Sequence, residues 1–106
     1  MIEVHLLYNI KPDVDEAAYF EWMKKAIIPA LTAKGVIEVR AQRNIKEAQR
    51  VLVVGLWEKL EDWTMFSQSE GWQSLVSTLQ NTFATNVGIE VWGSSPVIPK
   101  PLKPHK

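Results

Sequence analysis

The period of the hydrophobic pattern switches along this 106-residue chain between two residues and about 3.6 residues, and the order of the switches restricts the fold. The period of two predicts strands over residues 2–10, 36–44, 51–57 and 87–92. Helical spacing predicts helices over residues 13–34 and 59–83. This order, βαββαβ, predicts an α+β ferredoxin-like fold, a four-stranded antiparallel sheet with two helices on one face.

Local signals refine the two helices. Asp13 followed by Glu16 is a capping-box pattern that opens the first helix, and Gly35 ends it. Pro29 is expected to kink or restart its last turns. The helical spacing predicts that one apolar face lies on the sheet, formed by Phe20, Met23, Ile27 and Leu31. The second helix is expected to break at Glu70-Gly71.

Composition limits the classes of function. A chain of this length builds one core, so we expect one domain over residues 1–93, followed by an extended tail rich in Pro and Lys over residues 94–106. Lys plus Arg balance Asp plus Glu at 12 each, which gives no basic field for nucleic acid. We expect the N-terminal residues to be part of the fold and not a signal peptide or membrane span, and the absence of cysteine favours a cytoplasmic protein.

A sheet with helices on one face leaves its other face bare. Strand one carries Ile2, Val4, Leu6 and Tyr8 on one side and Glu3, His5, Leu7 and Asn9 on the other. Strand three offers Val51 and Val53 or Leu52 and Val54, so either face of the sheet holds apolar side chains. Burial is worth roughly 25 cal/mol per Å² of apolar surface, which favours covering the bare face. We therefore expect a homodimer in which two sheets pair into a dimeric α/β barrel.

Several short segments support a family resemblance that covers residues 1 to about 96. They are Lys11–Asp13, Ile28–Leu31, Lys34–Val36, Leu56–Glu58 and Ser69–Trp72. With them the chain resembles the dimeric α/β-barrel superfamily, and within it the small proteins related to antibiotic-biosynthesis monooxygenases. The resemblance implies a scaffold shared by cofactor-independent oxygenases of polyphenolic substrates, haem-degrading enzymes and proteins of no known activity.

The residues that such enzymes use are only partly matched. The Asn, Trp and His of haem-degrading members fall on His5, Phe66 and Val76, so the iron ligand is missing. Anthrone-type oxygenases place an Asn four residues before the strand-ending Trp and a Tyr six residues after it, and here these positions hold Val53, Trp57 and Trp63. The resemblance therefore predicts no haem, and we expect no cofactor.

His5 is the candidate catalytic residue. It is the only histidine in the folded region and shares a strand face with Glu3 and Asn9, so it is suited to act as a base. The topology places Glu90 of the last strand near it, and Glu90 and Asn9 are candidate substrate-binding residues. The alternative is a structural histidine. With one histidine here and no cysteine, we expect no metal site.

Aromatic residues supply the candidate pocket wall. Trp57, Trp63, Phe66 and Trp72 lie where the resemblance places a pocket between sheet and helices, and they suit a flat apolar ligand. Their alternative role is plain core packing. Glu38 and Arg40 of strand two form either an anion site or a solvated pair at the sheet edge.

Two functions remain open after these arguments. The first is a monooxygenase-like enzyme for a small aromatic or polycyclic substrate, with His5 polarising the substrate. The second is a non-catalytic dimeric module that binds a small molecule or serves a stress-related role. An open pocket containing His5 favours the first, and a pocket packed shut by the aromatic residues favours the second.

Overall fold

The computed structural model of the protein describes residues 1–105. The strands are β1 (Ile2–Ile10), β2 (Val36–Arg43), β3 (Arg50–Trp57) and β4 (Ala84–Trp92). The helices are α1 (Glu16–Ala26), α2 (Ile28–Leu31), α3 (Leu60–Ser67) and α4 (Glu70–Thr78), and a π-helical turn covers Leu79–Phe83. The predicted α+β ferredoxin-like fold is confirmed.

The four strands form one antiparallel sheet in the order β2-β3-β1-β4. The helices cover the face that holds Val4, Leu6 and Tyr8 of β1, all of which are buried in the core. The register places Val53 and Trp57 of β3 on this face as well. The opposite face, which we call the helix-free face, therefore holds the other alternating set of β1.

The helix-free face is mixed in polarity. Register assigns to it Glu3, His5, Leu7 and Asn9 of β1, Arg50, Leu52, Val54 and Leu56 of β3, and Glu90 and Trp92 of β4. The apolar members of β3 run along its centre, and Val54 is buried while Leu52 and Leu56 are half-buried. A band of apolar residues on this face is therefore flanked by polar groups.

The first helix begins later than the capping box predicted. Asp15, not Asp13, is the N-cap, and its carboxylate accepts a hydrogen bond from the backbone N–H of Ala17 at 3.0 Å. The helix then breaks at Ile27, and α2 restarts with Pro29 in its first turn, where the missing N–H of proline costs nothing. The predicted break near Pro29 is confirmed, whereas a helix reaching Lys34 is not.

The apolar face of α1 is rotated relative to the prediction. Tyr19 is the buried residue of α1, with Met23 and Ile27 partly buried beside it. Phe20 and Leu31, which were expected on the sheet, are about half exposed. The rotation brings the Tyr19 hydroxyl to the Tyr8 hydroxyl of β1, with which it forms a buried hydrogen bond. A buried phenol needs a hydrogen-bond partner, and this requirement determines which face of α1 turns toward the sheet.

The second helical region breaks at Gln68 and Ser69, immediately before the predicted Glu70-Gly71 position. Ser69 caps α4 by accepting a hydrogen bond from the backbone N–H of Trp72 at 3.3 Å. The π-helical turn then leads directly into β4, which begins at Ala84 and not at Val87. Asn86, at φ 53°, lies where the pairing of β4 with β1 shifts register, a left-handed conformation that asparagine tolerates.

Residues 93–105 form neither helix nor strand, and we call residues 94–105 the tail. Its Pro99 and Pro101 return to the end of the sheet where β1 begins. Within residues 1–105 no helix has the length and apolar character needed to cross a membrane.

Candidate functional site

The candidate residues lie on two opposite faces of the sheet. The aromatic residues Trp57, Trp63, Phe66 and Trp72 lie on the helix side, whereas His5 and Glu90 lie on the helix-free face. Because side chains alternate along a strand, the sheet itself separates the two groups. The expectation that one cavity contains both His5 and the tryptophans is wrong.

The aromatic group packs into a closed cluster. Trp57, Trp63 and Trp72 are only 2%, 8% and 9% exposed. The ring centroids of Trp63 and Trp72 are 4.9 Å apart in an edge-to-face arrangement, and those of Trp57 and Phe66 are 5.4 Å apart. Distances of this size are those of aromatic side chains in direct contact. These residues therefore fill the space between sheet and helices where the sequence suggested a ligand.

His5 lies in a different environment, half-buried on the helix-free face. Its Nε2 lies 3.0 Å from Oε1 of Glu3, two residues earlier on the same side of β1. A carboxylate can only accept a hydrogen bond, so this contact places a proton on Nε2, and in the neutral imidazole Nδ1 then carries the lone pair. Trp92 of β4 lies beside the imidazole, with ring centroids 6.0 Å apart and ring planes inclined by 36°.

These three side chains border an open groove of about 700 Å³, which we call the tail groove. Its floor is formed by the ends of β1, β3 and β4, with His5, Leu56 and Trp92. Pro99 and Pro101 of the tail form its outer wall. The groove therefore combines a base, an aromatic wall and an apolar floor, and it is large enough for a small aromatic molecule.

The other two predicted polar residues differ in their relation to His5. Glu90 is its cross-strand neighbour, as the topology predicted, and its Oε1 accepts a hydrogen bond from the indole N–H of Trp92 at 3.3 Å. Asn9 lies four residues further along β1, about 13 Å away at the usual rise of a strand, and its amide oxygen accepts from Arg50 Nη1 at 3.2 Å. Neither residue lines the tail groove, but Glu90 contacts Trp92, which does, whereas Asn9 lies away from it.

Glu38 and Arg40 form an exposed ion pair of 3.2 Å on the edge strand β2, as the simpler of the two interpretations predicted. Within the part of the chain that the structure describes, no three carboxylate or imidazole side chains converge as a metal-binding group.

One polar cluster was not singled out from the sequence. Tyr8 and Tyr19 bond through their hydroxyls in the core, and burial raises the pKa of both phenols. Arg43 borders a groove together with Tyr19, and its positive charge acts in the opposite sense on both pKa values. The alternation of β1 places Tyr8 on one side of the strand. Tyr19 could not be identified as its partner, because the sequence pattern predicted that a different face of α1 contacts the sheet.

The fold and the tail groove define a small ferredoxin-like domain with a ligand-sized opening on the helix-free face of its sheet. Residues 1–78 match the family model for antibiotic biosynthesis monooxygenases. The chain belongs to this family. A comparison with proteins of curated function gives no significant match.

Solved structures of low sequence identity share the fold. A suspected antibiotic biosynthesis monooxygenase from Deinococcus radiodurans superposes with a TM-score of 0.77 at 13% identity, over 100% of both chains. SnoaB, a cofactor-independent oxygenase from Streptomyces nogalater, gives a TM-score of 0.74 at 8% identity, over 93% of this chain and 97% of that one. A suspected family member from Bordetella bronchiseptica gives 0.72 at 22% identity, over 89% and 96%. At these identities the likeness establishes the fold.

Proposed function

We propose that this chain is a homodimeric, monooxygenase-like enzyme that binds a small hydroxylated aromatic compound in the tail groove. The observation that carries the proposal is the pairing of His5 with Glu3 at the floor of a groove that also holds Trp92. The family membership supports the class of reaction, and the groove supports the location of the binding site.

His5 is proposed as the base. The Glu3 carboxylate holds the proton on Nε2, so Nδ1 carries the lone pair that accepts a proton from the substrate. A flat ring packed on Trp92 would present its acidic group to this nitrogen. Glu3 is a positioning residue in this scheme, because it acts on the reaction through the tautomer of His5.

The oxidant is proposed to be dioxygen, with no cofactor. A methylene carbon flanked by phenolic rings gives one proton to His5, and the resulting carbanion transfers electrons to dioxygen. One oxygen atom replaces the two methylene hydrogens as a carbonyl, and the other leaves as water. The carbon loses four electrons and dioxygen gains four, so the reaction needs no external reductant.

The dimer is proposed to form through the helix-free face. Leu7, Leu52, Val54 and Leu56 form its apolar centre, and the helices leave this centre uncovered. The tail groove opens at one end of this band, so a second copy would close it toward solvent. The register pairs His5 with Val54, so His5 would lie inside the interface beside its apolar centre.

The test is oxygen uptake with dihydroxyanthrone, measured against the uncatalysed rate in buffer. The account predicts that His5→Ala lowers the enzyme-dependent rate by about 100-fold or more, the usual contribution of a general base. His105→Ala, which removes the other histidine of the chain, is the matched control and should retain the rate. An unchanged rate in His5→Ala would exclude the proposed role of His5.

The closed aromatic cluster favours a second candidate function, a dimeric module that binds its ligand without turnover. Trp57 and its neighbours fill the space between sheet and helices, and Val53 lies there where the resemblance calls for an amide. In this case dihydroxyanthrone binds, but oxygen uptake stays at the buffer rate for the wild-type protein. Binding and uptake measured on the same sample therefore separate the two functions.

A further inference from the structure

A second groove lies on the opposite side of the sheet, between α1 and the edge formed by β2 and the start of β3. It measures about 490 Å³. Its apolar wall consists of Tyr19, Phe20, Met23, Ala41 and Val51, and its polar residues are Glu16, Gln42 and Arg43. Val51 and Trp57 are at opposite ends of β3, about 20 Å apart at the usual rise of a strand, so this groove is distinct from the aromatic cluster.

The hydroxyl pair beneath this groove has one more donor than it uses. Each phenol carries one proton, and the bond between Tyr8 and Tyr19 uses one of the two. Within residues 1–105 neither hydroxyl makes another side-chain hydrogen bond. Burial raises the pKa of both groups, so both protons stay in place at neutral pH. Tyr19, which borders the groove, is therefore able to donate to an acceptor that enters it.

Arg43 supplies a positive charge at the same place. Its Nη1 donates to the carbonyl oxygen of Ala48 at 2.9 Å and to Oε1 of Glu16 at 3.4 Å. A guanidinium has five N–H donors, so donors remain for a further anion. The side chain is 35% exposed, and that of Glu16 is 56% exposed. Glu16 can therefore turn into solvent when another carboxylate takes its place.

We propose that this groove binds a small monocarboxylate with a flat apolar body, whose carboxylate pairs with Arg43 and accepts the spare proton of the tyrosine pair through Tyr19. The apolar wall buries the body of the ligand, and the two donors fix its charged end. Phe20 is half exposed at the rim of the groove and becomes buried when the ligand binds. The site is independent of the tail groove, because the sheet lies between them.

The test is isothermal titration calorimetry with β-naphthoate, with β-naphthamide as the uncharged probe of the same shape. Arg43→Gln and Tyr19→Phe should each weaken naphthoate binding by about tenfold or more, the usual effect of losing a hydrogen bond to a charged group. Tyr8→Phe is the matched control for Tyr19→Phe, because Tyr19 keeps its own proton; it should change binding by less than about twofold. Glu16→Gln should tighten binding, because a competing carboxylate is removed.

Three results would overturn the proposal. They are equal affinity for naphthamide and naphthoate, equal loss in Tyr8→Phe and Tyr19→Phe, or loss of naphthoate binding in His5→Ala, which would place the probe in the tail groove. Circular dichroism checks that each variant is folded. Because Arg43 also binds the carbonyl of Ala48, Arg43→Lys provides a second variant that keeps the charge. It should bind naphthoate more tightly than Arg43→Gln does, and no difference between them would count against a charge-based site.

Discussion

At the scale of single residues, the two polar clusters of this protein are built differently. His5 and Glu3 meet on the half-buried helix-free face, with 22% and 44% of their side chains exposed. Tyr8 and Tyr19 meet in the core, where Tyr8 is fully buried and Tyr19 is 4% exposed at the floor of the second groove. The first pair is therefore open to solvent, whereas burial raises the pKa of both phenols of the second pair. Stability measurements distinguish these two situations.

Replacing His5 by Ala should cost less than about 1 kcal/mol of unfolding free energy, because the freed Glu3 carboxylate remains in contact with water. Urea unfolding of the variant and the wild type measures this difference. A cost of about 1–3 kcal/mol would instead indicate that His5 satisfies a buried partner and is a structural residue.

The phenol pair predicts a loss of stability in alkali. The ordinary pKa of a tyrosine is 10.0 and the folded values are raised by burial, so above pH 10 the unfolded chain releases protons that the folded protein keeps. Unfolding is then favoured by up to about 1.4 kcal/mol per pH unit for each phenol that stays protonated in the folded protein. Below pH 10 both states keep these protons, and the contribution is constant.

Tyr8→Phe isolates the contribution of one phenol. Urea unfolding between pH 9 and 11 should show the wild type losing stability faster than the variant, with slopes that differ by about 1.4 kcal/mol per pH unit above pH 10. Parallel slopes would show that Tyr8 ionises equally in both states and contradict its burial.

Among the secondary-structure elements, the order of strands and helices could be predicted from the hydrophobic periodicity. The face of α1 that contacts the sheet could not. Its apolar residues allow two overlapping stripes, one through Phe20 and one through Tyr19, and both include Met23 and Ile27. The choice is made by Tyr8 on another element, whose buried hydroxyl needs a partner. This hydrogen bond joins residues that are eleven positions apart on two different elements, so the hydrophobic period of neither element predicts it.

The sequence pattern predicted one cavity for His5 and the tryptophans because β3 did not reveal which face of the sheet the helices cover. The alternation of β1 correctly placed His5 opposite Val4 and Leu6, but both sides of the neighbouring β3 are apolar. The sequence therefore did not determine which set the helices cover. Once Val4 and Leu6 are assigned to the core with Trp57, His5 must lie on the other face. Trp92 and the tail, which complete its groove, gave no local signal in the sequence.

The turn between α2 and β2 depends on Gly35. Its φ of +87° is a conformation that side chains disfavour, and a Cβ there would meet the Asp62 carboxylate of α3. Its carbonyl also accepts the backbone N–H of Glu58 at 2.8 Å. Gly35→Ala should therefore cost about 1–2 kcal/mol, measured by urea unfolding. Gly93→Ala is the control, because open space surrounds that position, and a similar cost in both variants would contradict this account.

For the whole molecule, the apolar band of the helix-free face, which no helix covers and which is partly exposed at Leu52 and Leu56, predicts self-association. Leu52→Glu places a charge on this face and should give a folded monomer at micromolar concentrations, because an unpaired charge is costly in an apolar interface. Sedimentation velocity measures the shift from dimer to monomer. Leu60→Glu, on the exposed surface of α3, is the control and should leave the dimer intact. A monomeric wild-type protein would refute the proposed dimer.

We expect the hydroxylated aromatic ligand of this protein to bind on the helix-free face and not among the tryptophans of the core. The indole N–H signals of the five tryptophans test it directly in a nuclear magnetic resonance titration with dihydroxyanthrone, with each signal assigned by a Trp→Phe variant. The account predicts that the Trp92 signal shifts with the imidazole signals of His5, while those of Trp57, Trp63 and Trp72 stay unchanged. Shifts confined to Trp57, Trp63 and Trp72, with Trp92 unaffected, would place the ligand between sheet and helices and contradict the account.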